Sequence, residues 1–290
     1  MKSTNTETVI TPTYMPAGRA SLTGWSVIDS FSVVISNYGI LLSIVRRDLL
    51  SRFRGSVLGR AWIILLPLIM MAVYSTIFSY ALGVRFKGAN GLWESALATW
   101  FSLVVWQAIA ECVTRSSSTI HDNAPFVKRM PFPVAILPVS LVLASFGTAA
   151  VSFGFFAVGY LAVHQHIPVT WLYLPLILAP MLIGLTGVVW LISAAGGLVR
   201  DIRHIVPVAM TLGMFATPVV WPMDIIPAAA REYLQLNPLC WFFESFRNAI
   251  FGLSGPDMGV MVIMTAGSLV TWVVGFAVFR AAEREMRDVV

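Results

Sequence analysis

The sequence predicts an all-α, polytopic membrane protein with six transmembrane helices, an N-terminal amphipathic interfacial helix and short re-entrant outer helices between spans 5 and 6. Composition is the first observation behind this. Of 290 residues, 58% are hydrophobic and 11% charged, where ordinary globular domains carry about 25% charged residues; the mean hydropathy is +0.81. The second is the length of the uncharged stretches left when the chain is cut at its charges: 61–84, 95–110, 130–199, 204–223 and 258–279. About 20 apolar residues cross roughly 30 Å of hydrocarbon, so residues 130–199 hold two spans and the total is six. The third is the placing of the cations. An even number of spans puts both termini on one side, and fifteen of the 19 Lys and Arg fall in segments on that side. Positive flanks stay cytoplasmic, so both termini are expected there.

Residues 1–30 are the predicted cytoplasmic tail, polar and Pro-bearing at the start, without the charged start and compact apolar run of a secretory signal. Residues 31–60 are the predicted amphipathic helix. Positions 32–45 are apolar but too short to span, and they run into Arg46, Arg47, Asp48, Arg52, Arg54 and Arg60. At roughly 100° per residue, Ser43, Arg47, Ser51 and Arg54 share one face, and Leu41, Leu42, Val45, Leu49 and Phe53 share the opposite one. That pattern fits a helix lying in the inner interface; a basic stop that only fixes topology fits it as well.

Residues 61–281 form the six-span domain. Span 1 (61–82) carries Trp62, Tyr74 and Phe78; span 2 (95–112) carries Trp100, Phe101, Trp106 and Gln107. Rings at span ends anchor at the interface, whereas the deeper ones either pack in the bundle or line a path for a sugar chain, whose rings have apolar faces. Between spans 2 and 3, Asp122, Phe126, Val127, Lys128 and Arg129 precede Pro131 and Pro133. They describe a short inner-face helix, stopped by proline, with an apolar and basic surface suited to docking. Spans 3 (133–163) and 4 (171–199) are rich in small residues, among them Gly147, Gly154, Gly184, Gly187, Gly196 and Gly197, which allow helices to approach closely. His164 and His166 fall in the outer turn as solvent-facing residues. Arg200, Asp201 and Arg203 occupy the inner turn before span 5, which continues to Trp221. Residues 225–255 read as two short outer helices broken at Asn237-Pro238, dipping into the membrane without crossing it. Glu244 and Arg247, three apart on one helical face, could pair there. Span 6 (258–279) leads to a cytoplasmic C-terminus at 282–290.

The net charge of +5 sits at membrane edges, which fits anionic lipid headgroups or a protein partner better than nucleic acid. Cys112 and Cys240 are predicted on opposite sides, so no disulfide is expected, and no metal-ligand cluster is visible. The spans lack central Asp, Glu, Lys or Arg, apart from Glu111 at the inner end of span 2, which disfavours ion-coupled transport. No carboxylate pair or Ser-His-Asp set suggests catalysis. The dipeptide Gly-Lys is absent, so no phosphate-cradling loop is present. A membrane unit energised by a separate ATPase subunit fits these absences.

Arg47-Asp48-Leu49, followed by Arg52-Phe53-Arg54-Gly55-Ser56-Val57-Leu58-Gly59, Trp62 and Leu66-Pro67, resembles the opening motif of ABC exporters of cell-surface polysaccharides, the O-antigen, capsule and teichoic-acid permeases. Pro131-Phe132-Pro133, Arg200-Asp201-Ile202, Pro218-Val219, Trp221-Pro222, Asn237-Pro238-Leu239, Glu244-Ser245-Phe246-Arg247 and Gly252 extend the likeness in order, from about residue 38 to 280. The resemblance implies a homodimer in a bacterial inner membrane with two copies of a nucleotide-binding ATPase subunit. Those subunits would bind ATP and Mg; this chain would carry no cofactor, metal or catalytic residue. The implied cargo is a polysaccharide on undecaprenyl pyrophosphate, O-antigen foremost, passing between the two copies. By position, Arg47, Arg52, Arg54 and Arg60 would meet the lipid pyrophosphate, because guanidinium forks match phosphate oxygens. Trp62, Tyr74, Phe78, Trp100, Phe101 and Trp106 would line the channel. Asp122, Phe126, Lys128 and Arg129 would couple to the ATPase, with Arg200, Asp201 and Arg203 as a second contact, and Glu244 and Arg247 would shape the outer exit. Still open are capsule, teichoic acid or another envelope glycan, a small-molecule drug as cargo, a channel without an ATPase partner, and a membrane enzyme acting on lipid-linked sugars.

Overall fold

The computed structural model describes residues 27–51, 61–74, 76–77, 81, 83, 86, 91–129 and 133–289. Most of the predicted tail, with Arg52, Arg54, Arg60 and Phe78, lies outside the described residues. Helix follows helix among the described residues: α1 (Val27–Ser36), α2 (Tyr38–Ser51), α3 (Trp62–Tyr74), α4 (Leu92–Ser116), α5 (Thr119–Asp122), α6 (Ala124–Arg129), α7 (Ile136–His164), α8 (Leu174–Leu198), α9 (Ile202–Phe215), α10 (Ala228–Leu234), α11 (Pro238–Ile250) and α12 (Met258–Val289).

Among the described residues, four segments are long and apolar enough to cross a membrane: Trp93–Ser116, Ile136–Ala162, Val169–Leu198 and Met258–Arg287. They fall on predicted spans 2, 3, 4 and 6. Their charged residues stand towards the ends, at Glu94, Glu111 and Arg115 in the first and from Arg280 onwards in the last, and the two between have none. Where span 5 was expected, α9 has only 14 residues, about 21 Å of helix. The stop has two causes, one local and one distant in sequence. Pro218 has no N–H to continue the ladder, and the side-chain amide of Asn237 donates to the Ala216 carbonyl at 3.2 Å and to Thr217 Oγ1 at 2.9 Å. The same Asn237 caps α11, its Oδ1 accepting from Leu239 N at 3.0 Å. Residues 225–255 accordingly fold as α10 and α11, meeting at the predicted Asn237-Pro238 break.

Small residues set the tightest packing. A Cβ on Gly187 would lie 2.2 Å from the Thr271 carbonyl oxygen, and one on Gly275 would lie 2.2 Å from the Gly187 carbonyl oxygen. The backbones of α8 and α12 are thus in direct contact. Buried indoles fasten the surroundings: Trp190 Nε1 donates to the Ala135 carbonyl at 2.8 Å, and Trp272 Nε1 to Ser30 Oγ at 2.7 Å. The Trp272 ring also stacks on Phe31, centroids 4.6 Å apart, which docks α1 against α12.

The predicted amphipathic helix is two helices. Asn37 interrupts it, its side-chain amide donating to the Val33 carbonyl at 2.7 Å. Leu41 and Val45 are buried as predicted, but Leu42 is 51% exposed, so the packed face is narrower than the wheel suggested.

Candidate functional site

The C-terminal ends of α4, α8 and α12 and the N-terminal end of α7 meet at one end of the bundle, where α2, α5 and α6 pack across them. A Cβ on Gly196 of α8 would lie 2.0 Å from the Ser117 carbonyl oxygen just before α5, so that junction sits directly on α8. Arg46, Arg47, Arg115, Lys128, Arg129, Arg200 and Arg203 gather at this basic end.

Three contacts tie it together. Arg115 at the end of α4 grips Asp48 of α2 with both terminal nitrogens, at 2.6 and 2.8 Å, and reaches Glu111 one turn back at 3.2 Å. Two parallel charge-assisted bonds fix orientation as well as proximity. The Arg47 guanidinium lies over the Phe126 ring, 5.5 Å from its centroid, linking α2 to α6. Between them a groove of about 180 Å³ is lined by Ile40, Ser43, Ile44, Arg47, Asn123, Phe126 and Leu137. Finally, Arg287 of α12 donates to the Val127 carbonyl of α6 at 3.0 Å.

Helices α5 and α6 are short, and local side chains brace them from within. Ser118 Oγ donates to Asp122 Oδ2 at 2.7 Å, and the Asn123 amide donates to the Thr119 carbonyl at 2.9 Å. Ile120 and Val127 point into the bundle, while Asp122 and Phe126 remain exposed. Lys128 and Arg129 close the α6 backbone. Arg200 and Asp201 are exposed in the turn before α9, where Arg203 Nε donates to the Arg200 carbonyl at 3.1 Å.

Further along the bundle, α3, α4 and α7 line a half-open cavity of about 350 Å³. Trp62 and Tyr74 of α3 line it, with Trp100, Gln107 and Glu111 of α4 and Ser145, Thr148 and Ser152 of α7. Trp100 Nε1 and Ser145 Oγ are buried without a hydrogen-bond partner. Apolar walls with a few polar groups are the usual make-up of a binding cavity. Of the predicted channel residues, Trp62, Tyr74 and Trp100 stand on this wall. Phe101 and Trp106 instead sit in the core, Phe101 against Phe153, Phe156 and Phe246, and Trp106 against Phe243.

At the far end, Arg247 is 7% exposed and donates to the Pro218 carbonyl, its guanidinium 5.0 Å from the Phe86 ring centroid. The possible Glu244–Arg247 ion pair gives way to these contacts: the buried guanidinium takes the carbonyl and the ring beside it, and Glu244 is exposed. Gly252 follows α11 with φ +67°, the left-handed turn that favours glycine. His164, expected to face solvent, approaches Glu94 at 3.4 Å and stacks on Tyr160, ring centroids 4.2 Å apart. Cys112 and Cys240 are both buried free thiols.

Residues 40–251 match the family model described as ABC-2 type transporter. The chain belongs to that family. The match runs from the start of α2 to the end of α11, so the basic end and the cavity belong to the shared part of an ABC-2 chain, and α12 lies beyond it. This ABC-2 transporter chain is also similar to a Myxococcus xanthus protein named O-antigen export system permease protein RfbA, 27% identical over 254 residues, covering 86% of this chain and 95% of the relative. Two Klebsiella pneumoniae proteins of the same name are each 25% identical, covering 87% of this chain and 95% of theirs. With four long apolar helices and ABC-2 membership, this is a multi-pass membrane protein of a transporter.

Asp48, Arg115 and Arg287 are site residues that sequence reasoning did not single out. A lone acid within the run Arg46, Arg47, Asp48, Arg52, Arg54 was the available signal for Asp48, since such an acid is held by a partner from elsewhere. Arg287 offered none beyond its position at the end of the last helix.

Proposed function

We propose that this chain is the permease subunit of an ATP-driven exporter of polysaccharide linked to undecaprenyl pyrophosphate, the O-antigen foremost, in a bacterial inner membrane. Two copies pair around the path, and each is served by one nucleotide-binding ATPase subunit that holds ATP and Mg. The basic end faces the cytoplasm with both termini, and spans 1 and 5, to which α3 and α9 belong, complete a six-span bundle. In this reading α10 and α11 dip into the outer leaflet.

The observation that carries this reading is the construction of α5 and α6. They are too short to persist alone, yet they are fixed by α2, α8 and α12 and leave Asp122 and Phe126 facing outwards. That is what a surface needs in order to transmit force from a docked subunit. The end placement of charge in the long helices supports an energy source outside the membrane. The names of the relatives support the cargo. Arg47, with Arg52, Arg54 and Arg60, would receive the pyrophosphate, and Trp62, Tyr74 and Trp100 would present flat apolar surfaces to sugar rings. Lys128, Arg129, Arg200, Asp201 and Arg203 would extend the ATPase contact.

The test is reconstitution. The chain is co-expressed with its candidate ATPase, purified in mild detergent and placed in proteoliposomes loaded with lipid-linked glycan. ATP-dependent movement of glycan across the bilayer is expected. Absence of a co-purifying ATPase, or movement driven by this chain alone, overturns the reading.

A further inference from the structure

Helix α6 has six residues, and the carbonyls of a helix's last turn have no donor within the helix. One of them, the Val127 carbonyl, accepts at 3.0 Å from Arg287 Nη1, which lies 160 residues further along the chain in the last turns of α12. Arg287 is itself oriented. Its Nη2 donates to Glu283 Oε1 at 2.9 Å, and Glu283, 7% exposed, also accepts from Arg280. Next to it Met286 is buried against Gly197 of α8, where an added Cβ would lie 2.7 Å from the Met286 sulfur and 3.5 Å from Ile120 of α5. Donor, orienting acid and apolar wedge therefore come from a single stretch of α12, and all bear on the α5–α6 unit.

We propose that Arg287 is the positioning residue of α6: oriented by Glu283, it supplies the hydrogen bond that the short helix cannot make for itself and fastens α6 to α12. A cation also suits the negative end of a helix. Because α12 contacts α8 backbone to backbone, α6, α12 and α8 then move as one body. The geometry stands on its own; the consequence for transport rests on the proposed docking of an ATPase at α6. Arginine suits the place because its fork serves the carbonyl and the carboxylate together, whereas one ammonium on a flexible stem holds such a geometry less well.

Two measurements on the full chain test this. In nanodiscs, Arg287→Ala is expected to speed hydrogen exchange of the amides at 126–129 about tenfold, with Arg287→Lys intermediate and the central turns of α7 and α8 unchanged. In the reconstituted complex, glycan moved per ATP hydrolysed falls several-fold while the ATPase still co-purifies. Should Arg287→Ala fail to fold, Glu283→Gln keeps the cation, releases its orientation and is expected to show the same two changes at smaller size. Unchanged exchange at 126–129 overturns the proposal, as does accelerated exchange with transport per ATP intact. Accelerated exchange in a chain that recruits no ATPase even as wild type supports the fastening and removes the proposed ATPase docking instead.

Discussion

The guanidinium of Arg47 lies over the ring of Phe126 at 5.5 Å, so a residue assigned to substrate and a residue assigned to the ATPase touch each other. Sequence reasoning had given them separate tasks in separate segments. The contact makes α2 and α6 neighbours, so displacement of one is felt by the other.

Both partners are exposed, which keeps the contact's contribution at about 0.5–1 kcal/mol. Arg47→Ala and Phe126→Ala, alone and together, form a cycle read by thermal unfolding in detergent. The double variant is expected to lose less than the sum of the singles by that amount. Strict additivity would show that the ring contributes nothing to holding Arg47.

Asp48 and Arg115 form the stronger link between α2 and the bundle. Their side chains are 21% and 37% exposed, so solvent screening reduces the bidentate pair to about 1–2 kcal/mol. Asp48→Asn and Arg115→Lys are each expected to lower the melting temperature, with Arg115→Ala lowering it most, since the bonds to Asp48 and to Glu111 are then lost together. Wild-type stability in Arg115→Ala would remove the link.

Three of the buried indoles separate hydrogen bonding from packing. Trp190 and Trp272 have acceptors for their N–H groups, whereas Trp100 has none. Trp190→Phe should therefore cost about 0.5–1.5 kcal/mol more than Trp100→Phe, because only the former removes a buried N–H···O bond. Equal losses would mean that the Trp100 N–H is satisfied by a bound molecule in the cavity, which a competition assay with added glycan would then reveal.

Trp106, 3% exposed against Phe243, behaves as core: Trp106→Ala is expected to lose about 3–5 kcal/mol of stability. Trp62, half-buried on the cavity wall, is expected to lose far less on truncation and to slow glycan export instead. Comparable unfolding losses in the two variants would contradict that division.

Glycine substitutions divide in the same manner. Gly187→Ala and Gly275→Ala each drive a methyl into backbone 2.2 Å away and are expected to destabilise by at least about 1–3 kcal/mol. Gly154→Ala, with nothing within 4 Å, should be neutral or slightly stabilising through helix propensity. A destabilised Gly154→Ala would point to a contact made only with another subunit.

Spans 2, 3, 4 and 6 were legible because uncharged length is a local property, and the Asn237-Pro238 break because proline acts on its own neighbours. Span 5 was overestimated for a related reason. Apolar composition continues through Phe215 to Met223, but the helix ends where Asn237, far along the chain, takes the Ala216 carbonyl. The interruption of the amphipathic helix at Asn37 was hidden because Asn satisfies the Val33 carbonyl with its own side chain. Glu244 and Arg247 illustrate the limit most clearly. Spacing favoured their pairing, and a non-local carbonyl with an aromatic ring prevailed. The basic end was visible as charge, but its wiring through Asp48–Arg115 and Val127–Arg287 joins distant segments and leaves no periodic trace.

The glycine contact between α8 and α12 also restricts where oil can travel. With the carbonyl of Gly187 touching the backbone of Gly275, no hydrocarbon tail fits at that crossing. On the proposed function, an isoprenoid whose headgroup passes through the protein would have to trail its tail along some other cleft.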